Sequence, residues 1–116
     1  DKAWEGIQFC LGKGKWDEKN SVPTNIVFAG EFIVETENEI ITLKNNSDVS
    51  QIEDYLHQNN LQDVIGKNFP MIDEQEFSLS KSDDVLNYLL DWSRDIQSFY
   101  ENALKENCSV IFTVDL

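Results

Sequence analysis

Apolar residues recur at helical spacing near both ends of the chain and in short β-like runs between them. Over residues 2–11, Trp4, Ile7 and Leu11 share one face of a helix, and Gly12 and Gly14 end it. Residues 13–24 read as a polar loop with Pro23 near its end. Three compact apolar runs follow: 25–30 (NIVFAG), 31–36 (EFIVET) and 39–43 (EIITL). They predict two or three strands, with Gly30 as a bulge or turn between the first two. Residues 45–60 predict a helix capped by Ser47 or Asp48, with Val49, Ile52 and Leu56 on its apolar face and Asn59 and Asn60 stopping it. Residues 61–66 add a further helical turn ending at Gly66. The stretch 67–77 reads as irregular, because Pro70 disfavours the α region for Phe69.

The strongest periodicity lies at 82–106. Ser82, Asp83 and Asp84 open the helix. Val85, Leu89, Trp92, Ile96, Phe99 and Ala103 then step by four, three, four, three and four, and Leu86, Leu90, Tyr100 and Leu104 broaden the stripe. This predicts one long helix with a wide buried face, ended by Asn107. Trp92, Phe99 and Tyr100 read as core, not as a stacking platform for bases. Residues 109–116 barely alternate, which predicts a strand buried on both sides. The sum is a single α+β domain over 1–116. A small, mostly antiparallel sheet is packed by the long helix and two or three shorter ones, and the chain closes on a strand.

Charge narrows the partners. The 116 residues carry a formal net charge of −13, and residues 1–19 balance four lysines against four acids, so the deficit falls on the rest. Such a surface disfavours nucleic acid and anionic membranes, which need clustered Lys and Arg. It suits a basic protein partner, or a protein that simply stays soluble. Cys10 and Cys108 sit among apolar neighbours and read as reduced core residues. With no apolar run long enough to span a bilayer and no recognisable targeting motif, a cytoplasmic location is expected.

Little in the chain points to catalysis. His57 is the lone histidine; Asp54, three residues earlier, reads as its surface partner. The GKGK stretch at 12–15 lacks the spacing of a phosphate loop and reads as a helix stop with solvated lysines. DEQE at 73–76 lacks the glycine and spacing of a calcium loop. No cofactor, metal or catalytic residue is assigned. Glu35, Glu37 and Glu39 occupy every second position. In an extended segment they share one face and suit a cation or a basic partner; otherwise they form a charged turn guarding an exposed edge, which is the preferred reading. Trp16 lies in a polar loop between Lys15 and Asp17, either folded back on the core or exposed; exposed, it is the best candidate for an interface anchor.

The opening stretch DKAWEGIQFCLGKG resembles the Asp-Lys-x-Trp-x-x-(Leu/Ile)-x-Phe-x-Leu-x-Gly segment of the YfbM-like bacterial proteins, a family of unknown function. Asp1, Lys2, Trp4, Ile7, Phe9 and Leu11 carry the match, with Gly12 one position ahead of the family's glycine. Residues 26–33, 41–56 and 89–116 are similar, in order, to the family's strand and glycine-acid turn, its strand and capped helix, and its closing helix and strand. The 67–77 connector keeps only Phe69 and Pro70 of the family's usual segment. In that family a further segment precedes the opening stretch, which implies that residues 1–11 sit mid-domain with an apolar face expecting a partner segment. The resemblance implies a small bacterial α+β protein and brings no activity or site residues.

Three functions fit. The first is a non-enzymatic protein-binding module, in its narrowest form an immunity-type inhibitor of a basic toxin. The second is a small carboxylate-dependent enzyme. The third is a structural or regulatory subunit acting as a homo-oligomer. The absence of a catalytic constellation leans against the enzyme.

Overall fold

Asn45 shows how closely local chemistry sets the elements. In the computed structural model, which describes residues 2–17 and 21–115, its side chain accepts the Asp48 N–H at 2.8 Å, and the Asp48 carboxylate accepts the Asn45 N–H at 3.0 Å. This reciprocal capping box opens helix α2, Asn46–Gln58. The cap is therefore Asn45, not Ser47 or Asp48: Asn45 is the residue with extended backbone, and Asp48 serves as its N3 partner. Asn45→Ala is expected to cost about 1 kcal/mol, read as a lowered urea midpoint with an unchanged m-value. Asn60 caps α3, Leu61–Asn68, and Ser82 caps the long α4, Asp83–Lys105. Helix α1 spans Ala3–Leu11. Asp1, residues 18–20 of the expected loop and Leu116 of the expected strand lie outside the described residues.

The strands are β1, Glu31–Glu35; β2, Glu39–Lys44; and β3, Val110–Asp115. They form one antiparallel sheet in the order β1-β2-β3, with Ile41 opposite Thr113 and Glu39 opposite Asp115. The Thr36 hydroxyl accepts the N–H groups of Asn38 and Glu39 and so reverses the chain between β1 and β2. A bulge interrupts β1 between Phe32 and Val34. Ile40, Thr42, Lys44, Val110 and Val114 are buried on one sheet face, whereas Ile33 and Ile111 are exposed.

The core lies between this covered face and the helices. Helix α4 packs against the other three helices, and α1 against both α3 and α4. Gln8 is buried on α1 and ties two loops to it: its Nε2 donates to the Asp17 carbonyl at 2.7 Å, and its Oε1 accepts the Phe28 N–H at 3.1 Å. The buried Asn68 side chain donates to the Cys10 carbonyl at 2.8 Å, locking α3 to the end of α1.

Several expectations from the sequence need correcting. Residues 25–30 are not a strand. They enter from a 3-10 turn, Thr24–Ile26, and the N–H groups of Asn25, Ile26 and Ala29 return to Ser21, Pro23 and Thr24 carbonyls. These local bonds, with the side chains of Gln8, Lys44 and Tyr100 on the Phe28 N–H and the Val27 and Ile26 carbonyls, satisfy this backbone, so the run is buried without a sheet partner. Phe69 stays in the helical region, at φ −54° and ψ −45°, because it begins a further 3-10 turn, Phe69–Met71. Helix α3 accordingly runs past Gly66 to Asn68. Strand β3 is not buried on both sides: it alternates, with Ile111 and Thr113 exposed, since no layer of the described residues covers the outer sheet face there. Cys108 is exposed, just beyond the left-handed turn at Asn107 (φ +55°), while Cys10 is buried; both thiols are free.

Candidate functional site

The main surprise is helix α4. Its periodicity predicts a wide buried face, yet only Leu89, Ser93 and Tyr100 are fully buried. Trp92 is 41% exposed and Phe99 54%. Trp92, Ile96 and Phe99 face β3 across an apolar groove of about 460 Å³ whose wall also includes Trp4 and Ile7 of α1. Asp95 is the charged side chain among the described residues lining it. Exposed large aromatic residues clustered in this way mark a surface able to bury apolar area against another molecule.

The groove is firmly built. The Tyr100 hydroxyl donates to the Ile26 carbonyl, pinning α4 to the 3-10 turn. Burial pushes that hydroxyl well above its ordinary pKa, with Asp48 adding to the push. Behind the groove lies Lys44, fully buried. Its Nζ donates to the Val27 carbonyl at 2.8 Å, also bonds the Thr42 hydroxyl, and sits 5.0 Å above the Phe112 ring. Burial draws its pKa down to about 7, against an opposing pull from Asp48. Val27 and Phe112 also line the groove, so this lysine braces its floor.

Trp16 does not stand alone on the surface. It is half-buried and folds back, its ring 4.9 Å from Phe28, 5.3 Å from Phe9 and 5.9 Å from Trp4. It lines a second, shallow cleft with Trp4, Phe9 and Glu5, whose carboxylate holds the N–H and hydroxyl of Ser78. Glu35, Glu37 and Glu39 do not form a row on one extended face. The chain reverses between them, which places Glu35 at the end of β1, Glu37 in the exposed turn and Glu39 at the start of β2.

His57 pairs with Glu53, not Asp54: Nε2 lies 3.1 Å from Oε1, because positions four apart stack on a helix. Glu53 is buried on α2. Burial raises its pKa; His57 opposes that shift, while Glu101 and Asp54 reinforce it. Neither His57 nor Glu53 lines the groove. Among the described residues no three His, Cys, Asp or Glu side chains come together to hold a metal, and no helix is long and apolar enough to cross a membrane.

Reading the sequence alone assigned Trp92, Ile96 and Phe99 to the core. The available signal was the width of the α4 stripe set against three short strands, too little sheet to cover it. These features define a small α+β domain with an open groove between its longest helix and an edge strand. Residues 1–113 match the model of a family described as Domain of unknown function (DUF1877), and the chain belongs to that family. Searches of curated proteins and of solved structures found no match.

Proposed function

We propose that this chain is a non-enzymatic protein-binding module that docks a basic partner in the groove between α4 and β3. Partial exposure of Trp92 and Phe99 beside an edge of β3 that no other strand of the described residues pairs with carries the reading. Buried aromatic anchors supply most of the energy of protein interfaces. The net charge of −13, with Glu35, Glu37 and Glu39 at the hairpin tip, steers a basic protein toward it. Trp16, half-buried beside Trp4, belongs to the rim of this surface and not to its centre. The narrowest form of the reading is an immunity-type inhibitor of a basic toxin in a bacterial cytoplasm, in keeping with the YfbM-like resemblance.

The test compares tagged wild type with a Trp92→Ala, Phe99→Ala double variant in capture from lysate of the source cells, at low and moderate salt. A basic protein held by wild type, released as salt rises and reduced at least thirtyfold by the double variant is expected, since one anchor is worth about 2 kcal/mol. The variant should keep its circular dichroism spectrum, because both side chains are partly exposed. Equal capture by both proteins, or no capture by either, overturns the reading.

A further inference from the structure

Both carboxylate oxygens of Glu53 are shut off from solvent, and neither accepts a hydrogen bond among the described residues. A buried carboxylate without donors is unstable as an anion unless it holds a proton or lies against a cation. The oxygens are already enclosed, so chain outside the described residues does not reach them while the packing around them holds. What decides their charge lies on α2 and on the elements against it.

Helix α2 packs against α4, β2 and the 3-10 turn Thr24–Ile26. That turn has no titratable residue. On β2, the Lys44 amine is committed to the Val27 carbonyl and the Thr42 hydroxyl. The charges that act on Glu53 come from α2 itself and from α4: His57 eases its ionisation, while Glu101 and Asp54 oppose it. Of these three, only His57 can carry positive charge. Its Nε2 stands 3.1 Å from Glu53 Oε1, a charge contact without hydrogen-bond geometry. The pair is therefore neutral only while it holds one proton, on the carboxyl or on the imidazole. Without that proton a buried negative charge is left near two further acids.

The two halves of α2 are held by different means. The capping box of Asn45 and Asp48 fixes its first turn. Ile52, Glu53 and Leu56 bury its second half. We propose that Glu53 and His57 form a proton-dependent latch: one proton held by the pair keeps the second half of α2 seated on the domain, and loss of that proton loosens it. Burial raises the Glu53 carboxyl above its ordinary 4.5. From 4.5 up to that raised value the folded state holds a proton that the unfolded state has lost, so rising pH works against the latch. Lys44 titrates with the opposite sign, from about 7 upward, and is common to all the proteins compared below, so it drops out of the differences.

The whole chain is compared with Glu53→Gln, His57→Gln and Glu101→Gln. Carbon NMR, assigned through the backbone, follows the Glu53 carboxyl. Hydrogen exchange of the 53–58 amides, divided by their intrinsic rates, reports opening of α2. Expected in wild type is a carboxyl that titrates above the exposed glutamates, with protection at 53–58 falling about tenfold or more across that titration while the α3 amides keep theirs. Glu53→Gln should abolish this pH dependence. The midpoint should move to higher pH in His57→Gln, which lacks the easing charge, and to lower pH in Glu101→Gln, which lacks an opposing one. His57 and Glu101 are exposed side chains, so the midpoint test stands even where Glu53→Gln fails to fold. Four results each overturn the proposal: a Glu53 carboxyl titrating with the exposed glutamates, protection at 53–58 unchanged across its titration, a pH dependence that persists in Glu53→Gln, or a midpoint that either of the other substitutions leaves unmoved.

Discussion

Leu89→Ala is expected to lower the unfolding free energy by about 3–4 kcal/mol, the upper half of the range for emptying a buried leucine site. The reason is the partner it packs against. Leu89 is fully buried on α4, and its methyl carbons lie 2.7 and 2.8 Å from where a Cβ on Gly6 would stand. Gly6 allows α1 and α4 to approach this closely, and it has no side chain to relax into the void. The converse follows. Gly6→Ala alone is destabilising because its new methyl meets Leu89. In the Leu89→Ala background the same methyl refills part of the cavity and gains helix propensity. The double variant should therefore be about 1–2 kcal/mol more stable than the sum of the singles. Urea unfolding of the four proteins, with m-values checked for constancy, measures this coupling; strict additivity would show that the helices do not meet at these residues.

Stability should rise by about 2 kcal/mol between pH 7 and pH 9, the contribution of a single group whose pKa falls from 10.5 unfolded to about 7 folded. That group is Lys44. Below pH 7 both states hold its proton, so it adds no slope. Between pH 7 and 10.5 the unfolded state binds more protons than the folded one, so raising the pH favours folding. Above pH 9 the trend reverses for Cys10: burial pushes its thiol from 9.0 up to about 12, and the folded state then holds a proton that the unfolded state has lost. The rise from Lys44 is therefore cleanest from 7 to 9. Lys44→Met removes the titrating amine and should flatten the profile in this window. A slope unchanged in the variant would assign the effect to other groups.

Lys44 also shows where reading the sequence stopped. Its position at the end of the EIITL run is legible, but that its amine reaches the Val27 carbonyl depends on how residues 25–29 fold. The 25–30 run reads as a candidate among two or three strands, because a short apolar run looks the same whether a sheet or turns and side chains satisfy its backbone. The Ser21–Thr24 turn decided it, with the two hydroxyls 2.7 Å apart. The helices and the hairpin were legible because caps, periodicity and turn residues act within a few positions. Asn45 and Asp48 cap α2 through bonds that span three residues. The candidate site was not legible, because periodicity marks an apolar stripe without saying what covers it. Trp92 and Phe99 lie on the same stripe as Leu89, and only the placement of β3 and α1 separates the buried member from the exposed ones. The His57 partner is a narrower case: Glu53 and Asp54 both lie within reach in sequence, and the structure pairs His57 with the buried Glu53.

Strand β1 is bulged and carries exposed Glu31 and Glu35, whereas β3 pairs with β2 without a break and is uncharged over 110–114. An uncharged run of β-branched and aromatic residues on an open edge is a template for cross-β stacking. Within 110–114 no charge, proline or glycine opposes the adding of copy to copy, so long-range repulsion is the safeguard: each chain carries a net charge of −13. Repulsion of this kind weakens as salt shortens the Debye length to about 8 Å. The acidity of the chain thus opposes self-association through this strand, and colloidal stability and the uncharged run are coupled properties of one sequence.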